Sequence, residues 1–182
     1  MATMTTLPRG RQFTADDLAA MPDDGNRYEL VDGALIVTPS PVTRHQIVVA
    51  NLHLALRAAC PADLRVLFAP YDVRMSDVTV LQPDLLVAAK AAFAEKNLPG
   101  APLLAVEVLS PSTRHIDLGL KRSAYEAVGC PSYWVVDPER PSVTAWELRG
   151  GEYDVAGSAT GAESLTLAAP YPVSLTPERL LD

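Results

Sequence analysis

The chain has 182 residues, 48% of them hydrophobic and 20% charged, with a formal net charge of −7. This length suits one domain with a substantial core and is too short for two comfortable ones. The charge argues against a protein that coats nucleic acid non-specifically, but not against one whose clustered carboxylates hold a cation.

No apolar run approaches the roughly 18 residues of a spanning helix, and the N-terminus lacks the apolar stretch of a secretory signal. The two cysteines, Cys60 and Cys130, show no metal-ligand spacing. Packed thiols in a reducing cytoplasm are the expectation. Lysine is scarce: Lys90, Lys96 and Lys121 stand against twelve arginines.

Residues 1–12 read as a flexible tail before one domain over 13–182. Thr14 and Asp17 have the spacing of a capping box, opening a short helix to about Met21. Arg27–Val31 and Ala34–Val37 form a hairpin about Asp32-Gly33. After Pro39-Ser40-Pro41, the helical spacing of Val48, Leu52, Ala55, Leu56 and Ala59 predicts an amphipathic helix over 43–59. Two β-rich runs follow, 65–75 and 78–89, and then a polar, mobile connection over 88–102. The apolar run Pro102–Leu109 suits a central strand covered on both faces. A helix over 117–128 ends at Gly129. Ser132–Val136 and Val143–Leu148 are antiparallel strands, Gly150-Gly151 a turn, and 153–156 and 164–168 the rest of a meander. A short helix starts at Pro177. The order gives an α/β fold with a mixed sheet flanked by helices.

Two carboxylates stand out. Glu107 lies inside LLAVEVLS and Asp84 inside LQPDLLV. An ionised carboxylate in a buried strand is costly unless it is paired or binds metal. Facing each other, the two would repel and raise each other's pKa. A divalent cation resolves that conflict, and oxygen ligands favour Mg2+ or Mn2+. Pairing with an arginine, Arg74 or Arg114, is the plainer alternative. On the next helix Asp117, Lys121 and Tyr125 share one stripe, with Ile116, Leu120, Ala124, Ala127 and Val128 on an adjacent buried one. Lys121 then reaches the end of the Glu107 strand, or else makes an ordinary i, i+4 pair with Asp117. Ser110, His115 and Asp117 contain the letters of a nucleophilic triad, but local order is not geometry. Tyr133 and Trp134 read as core, and His53 as a surface histidine.

Six ordered blocks carry a resemblance: Tyr28–Gly33, Ser40-Pro41 with Arg44-His45-Gln46, Pro83-Asp84, Val106–Thr113, Asp117 with Lys121 and Tyr125, and Tyr133–Pro138. Over residues 12–182 the chain resembles the bacterial "putative restriction endonuclease" branch of the PD-(D/E)XK nuclease superfamily. The resemblance implies a restriction-endonuclease-like α/β fold and Mg2+- or Mn2+-dependent endonuclease activity on DNA. It implies Asp84 and Glu107 as metal ligands, completed by the backbone carbonyl of Val108. The superfamily's lysine falls two residues after the acid, where this chain has Leu109; in this branch it is carried by the next helix, at Lys121. Glu29 resembles the upstream acid that supports the site. His45, Gln46, Arg114 and Asp117 are expected to line the cleft. A homodimer is expected, since two sites allow both strands to be cut. The rival is a catalytically silent nuclease fold acting as a binding or assembly module. An enzyme on a small phosphate substrate is a third reading.

Overall fold

A computed structural model describes residues 10–182. Most of the expected tail therefore lies outside the described residues. Its last part is docked: Gln12 Nε2 donates to the Asp32 carbonyl and Phe13 N–H to the Gly33 carbonyl. The first helix, α1 (Ala15–Ala19), has the expected capping box. Thr14 Oγ1 accepts from Asp17 N–H, and the Asp17 carboxylate accepts from Thr14 N–H. The hairpin pairs β1 (Arg27–Val31) with β2 (Ala34–Thr38) through a turn whose Asp32 and Gly33 have φ of 50° and 78°. Positive φ at both central residues is the geometry that suits the twist of such hairpins. The long helix α2 spans Thr43–Ala59.

The two β-rich runs divide into four short strands, because Pro70 and Pro83 cannot donate to a ladder. These are β3 (Leu64–Phe68), β4 (Asp72–Arg74), β5 (Val80–Leu81) and β6 (Leu85–Ala89). The connection expected to be mobile is structured: a 3-10 turn at Lys90–Ala92 precedes β7 (Asn97–Pro99), which pairs in parallel with β4. Next come β8 (Leu104–Val108), a π-helical turn (Ile116–Lys121), α3 (Arg122–Ala127), β9 (Ser132–Asp137), β10 (Ser142–Arg149) and β11 (Glu152–Thr160). A small pair, β12 (Leu165–Leu167) and β13 (Val173–Leu175), leads to a 3-10 turn at Pro177–Leu181.

The strands form a five-stranded sheet, β2-β1-β5-β4-β7, and a six-stranded mixed sheet, β11-β10-β9-β8-β6-β3. In the larger sheet β8 and β9 pair in parallel, joined by the crossover through the π-turn and α3. Alternation along β8 assigns its faces. Leu104, Val106 and Val108 pack with Leu52 and Leu56 of α2, whereas Ala105 and Leu109 pack with Tyr125, Tyr133 and Val31. Glu107 shares the second face by period two, looking toward α3 and the smaller sheet. Cys130 is buried there, and burial pushes its thiol up to about 11, so it stays protonated. Among the described residues no helix is long and apolar enough to cross a membrane.

Within α2, Leu52 is buried in the main core and Leu54 is 65% exposed. Leu52→Ala is expected to cost about 2–5 kcal/mol in urea denaturation, and Leu54→Ala to stay within about 0.5 kcal/mol.

Candidate functional site

The register of β6 against β8 pairs Leu85 with Val106 and Leu86 with Ala105. One residue further along this ladder, Asp84 lies opposite Glu107. Pro83 ends the pairing there, and the Asp84 carboxylate turns across to accept from Val108 N–H at 2.8 Å. From the smaller sheet, Arg27 and Glu29 alternate onto the face of β1 that carries Val31. Arg27 Nη1 donates to Asp84 Oδ1 at 3.1 Å and to the Gln82 carbonyl at 2.8 Å. Glu29 Oε1 accepts from Gln82 N–H at 2.7 Å.

Lys121 comes from the crossover. Its ammonium lies 2.9 Å from Glu29, 3.1 Å from Glu107 and 3.7 Å from Asp117. The pair with Asp117 is present, but it is the longest of the three. The expected regular helix over 117–128 is instead a π-helical turn followed by α3, which changes the assigned burial: Ile116 and Ala124 still pack against the core, but the rest of that stripe does not. Asp117, Lys121 and Tyr125 face inward, while Leu120, Ala127 and Val128 are exposed. A π-turn is an uncommon local geometry often found at functional sites. Thr113 Oγ1 and the Tyr133 hydroxyl hold it, donating to the Asp117 carboxylate and carbonyl at 2.7 and 2.8 Å.

His45 stands in the first turn of α2 and lies 3.1 Å from Asp84 Oδ2 through Nε2. An ionised carboxylate only accepts, so Nε2 carries the proton. Among the described residues Nδ1 has no hydrogen-bond partner, although it is buried. Gln46 is exposed and borders the neighbouring groove. Arg114, expected in the cleft, pairs with Asp137 instead, and Arg74 pairs with Asp77. The arginine beside Asp84 is Arg27, which the sequence reading passed over. Its signal was spacing: it stands two residues before Glu29, on the same face of a strand.

Burial and charge decide the electrostatics. Glu29, Asp84, Glu107, Asp117 and Lys121 are 1%, 3%, 2%, 2% and 3% exposed. Burial would raise the Asp84 carboxyl, but the His45 hydrogen bond and the Arg27 charge outweigh it and hold it at about 2. Glu107 goes the other way. Burial pushes it well above the usual carboxylate range, Lys121 pulls it back, and Asp117, Asp84 and Glu29 push it up again. Asp117 is also raised, by burial first. For Lys121, burial favours the neutral amine, but Glu107, Glu29 and Asp117 together raise its pKa.

These residues fit a divalent cation. Four buried carboxyl groups face two cations, Arg27 and Lys121, so full ionisation would leave negative charge in excess. Burial and mutual repulsion push Glu107 and Asp117 toward their neutral forms, a conflict that a divalent cation resolves. Asp84 Oδ1 accepts a single bond, so it has a lone pair to spare. Among the described residues no three His, Cys, Asp or Glu side chains are already gathered as a metal cage. Mg2+ seldom needs one, since it binds one or two carboxylates plus water and substrate phosphate.

A family model described as Uma2, putative restriction endonuclease, matches residues 15–178. A solved structure described as a putative nuclease belonging to DUF820, from Anabaena variabilis ATCC 29413, superposes with a TM-score of 0.71. It covers 93% of this chain and 97% of its own at 16% identity, which establishes a shared fold. No curated protein matches.

The charge excess makes a contrast testable in chelator. Lys121→Ala strands buried carboxylates and is expected to cost about 3–5 kcal/mol, whereas Glu107→Gln puts a permanently neutral group where burial and acidic neighbours already disfavour the ionised carboxyl and costs far less at neutral pH. A carboxyl with a raised folded pKa contributes stability that is full below its unfolded pKa and declines as pH rises above it. Urea denaturation at about pH 5 and about pH 8 is expected to show that decline in wild type and a flatter profile in Glu107→Gln.

Proposed function

The chain belongs to the Uma2 family of putative restriction endonucleases, and from its buried acid–lysine cluster we propose a metal-dependent endonuclease that hydrolyses phosphodiester bonds in DNA. One observation carries this reading: the Lys121 ammonium lies within 3.1 Å of both Glu29 and Glu107, in a cluster where four buried carboxyl groups share two cations. An ordinary structural ion pair needs no third and fourth carboxylate. Extra carboxylates around one lysine suit a site whose charge a divalent cation completes, with one or two of them as its ligands.

Asp84, Glu107 and the carbonyl of Val108 would hold Mg2+ or Mn2+. A bound ion there supplies Lewis acidity, offsetting charge on the phosphate and making water a better nucleophile at neutral pH. The remaining work falls to the chain's own groups. Three carboxylates keep Lys121 protonated, so it donates hydrogen bonds and does not act as a base. Its ammonium orients the attacking water or a phosphate oxygen, and it stabilises charge that grows in the transition state. Glu29 and Asp117 position that ammonium. Arg27 and His45 fix the plane of the Asp84 carboxylate. Leu109, at the superfamily's usual lysine position, is buried among Tyr125, Tyr133 and Val135.

The described residues gather one such cluster, so a second copy is required only if both strands of a duplex are cut. The saturation of Asp84 Oδ2 by His45 and Val108 favours the second reading, a silent nuclease fold used for binding.

A plasmid-nicking assay with Mg2+ and with Mn2+ separates the two. Wild type is expected to nick, while Glu107→Gln and Lys121→Ala are expected to lose at least about a hundredfold in rate, the scale of losing one preorganised charge contact. Equal nicking by all three proteins would place the activity elsewhere.

A further inference from the structure

The candidate site is the floor of a cavity of about 260 Å³, not an open shelf. One wall is the passage Thr38–Val42 that leads into α2, with Arg44 of its first turn. The other is Ser110–Thr113 with Pro138-Glu139. Alongside lies an open groove of about 700 Å³, bordered by α1, Tyr28, Phe68, Arg74 and Lys96. Groove and cavity share Arg27, Pro39–Pro41, His45 and Asp84, so the two adjoin at these residues.

Resting on the nuclease reading, we propose that the substrate enters as an unpaired strand: a single DNA strand lies in the groove and seats one unpaired nucleotide in the cavity. The acids and Lys121 on the cavity floor are at most 3% exposed. A double helix is far wider than a 260 Å³ space, and its paired bases hold each phosphodiester out on the rim of a rigid cylinder. Extruding a nucleotide costs pairing and stacking energy, least where the strand is already single.

The groove has the parts that unpaired strands use, aromatic faces for bases and cations for phosphates. Phe68, 54% exposed and edge-on to His53, and Tyr28 both line the groove. Asp16, Asp23 and Asp72 line the same groove. Phosphate neutralisation is therefore weak there, and stacking together with the site carries the affinity. The net charge of −7 fits this, because broad electrostatic capture of duplex is what that charge disfavours.

One labelled oligonucleotide tests this, offered to the full chain with Mn2+ as a single strand, as a blunt duplex and as a duplex with an unpaired bubble. The single strand and the bubble are expected to be cut at least about tenfold faster than the blunt duplex. Equal or faster cutting of the duplex overturns the proposal. Binding is read in parallel by fluorescence anisotropy with Ca2+ replacing Mn2+. Phe68→Ala is expected to lose about fivefold or more in single-strand affinity and to leave duplex binding unchanged. Unchanged single-strand affinity overturns the assignment of the groove. If nothing is cut but the single strand binds at least about tenfold tighter than the duplex, hydrolysis fails and the strand assignment stands. If nothing is cut and both forms bind alike, both fail.

Discussion

The fold of this protein depends at its centre on one buried ammonium. Lys121 is held by Glu29 of the smaller sheet, Glu107 of the larger sheet and Asp117 of the π-turn. Three separately folded elements thus share a single cation. Burying a lysine is unfavourable unless its partners are close and themselves hydrogen-bonded. Here they are: the Gln82 amide serves Glu29, and Thr113 serves Asp117. The same arrangement gathers four buried carboxyl groups around two cations, Lys121 and Arg27, so their full ionisation would exceed what those cations offset. Charges in excess inside a protein are retained at a cost to stability, and function is the usual reason for keeping them.

Depth and charge go together. The carboxylates lie at the strand ends of β6 and β8 and under the entry to α2, where side chains from both sheets converge. Asp84 is held ionised by Arg27, His45 and a backbone amide, whereas Glu107 is pushed toward its neutral form by burial and its acidic neighbours. Two carboxyl groups opposite one another at the end of the β6–β8 ladder therefore differ sharply in proton affinity because of their partners. A cation between them would remove the difference.

Asp84 and Glu107 were legible in the sequence, because each interrupts an apolar strand where an ionised group has no cheap solution. The hairpin, α2 and the β8–β9 core were legible for the same reason, as strong periodicity with turn residues at the right places. Glu29 and Lys121 needed the family resemblance, since either reads alone as a surface charge on a strand or helix. The π-turn was hidden: Ile-Asp-Leu-Gly-Leu-Lys scans as ordinary helix, and nothing local announces the wider turn. A helical wheel consequently placed Leu120 and Val128 inside. The polar stripe is buried instead because its partners, Glu29 and Glu107, come from strands far away in sequence. Arg27 and the strand β7 were missed for a related reason, their pairing being long-range and their own segments short.

The most direct measurement of the central claim is an anomalous-difference map from crystals of the protein soaked in Mn2+. The account predicts one strong peak between Asp84 and Glu107, with carboxylate oxygens of both about 2.0–2.6 Å from the ion and Lys121 still on Glu29. No peak there at saturating Mn2+, or a peak at a site away from these two acids, would contradict it.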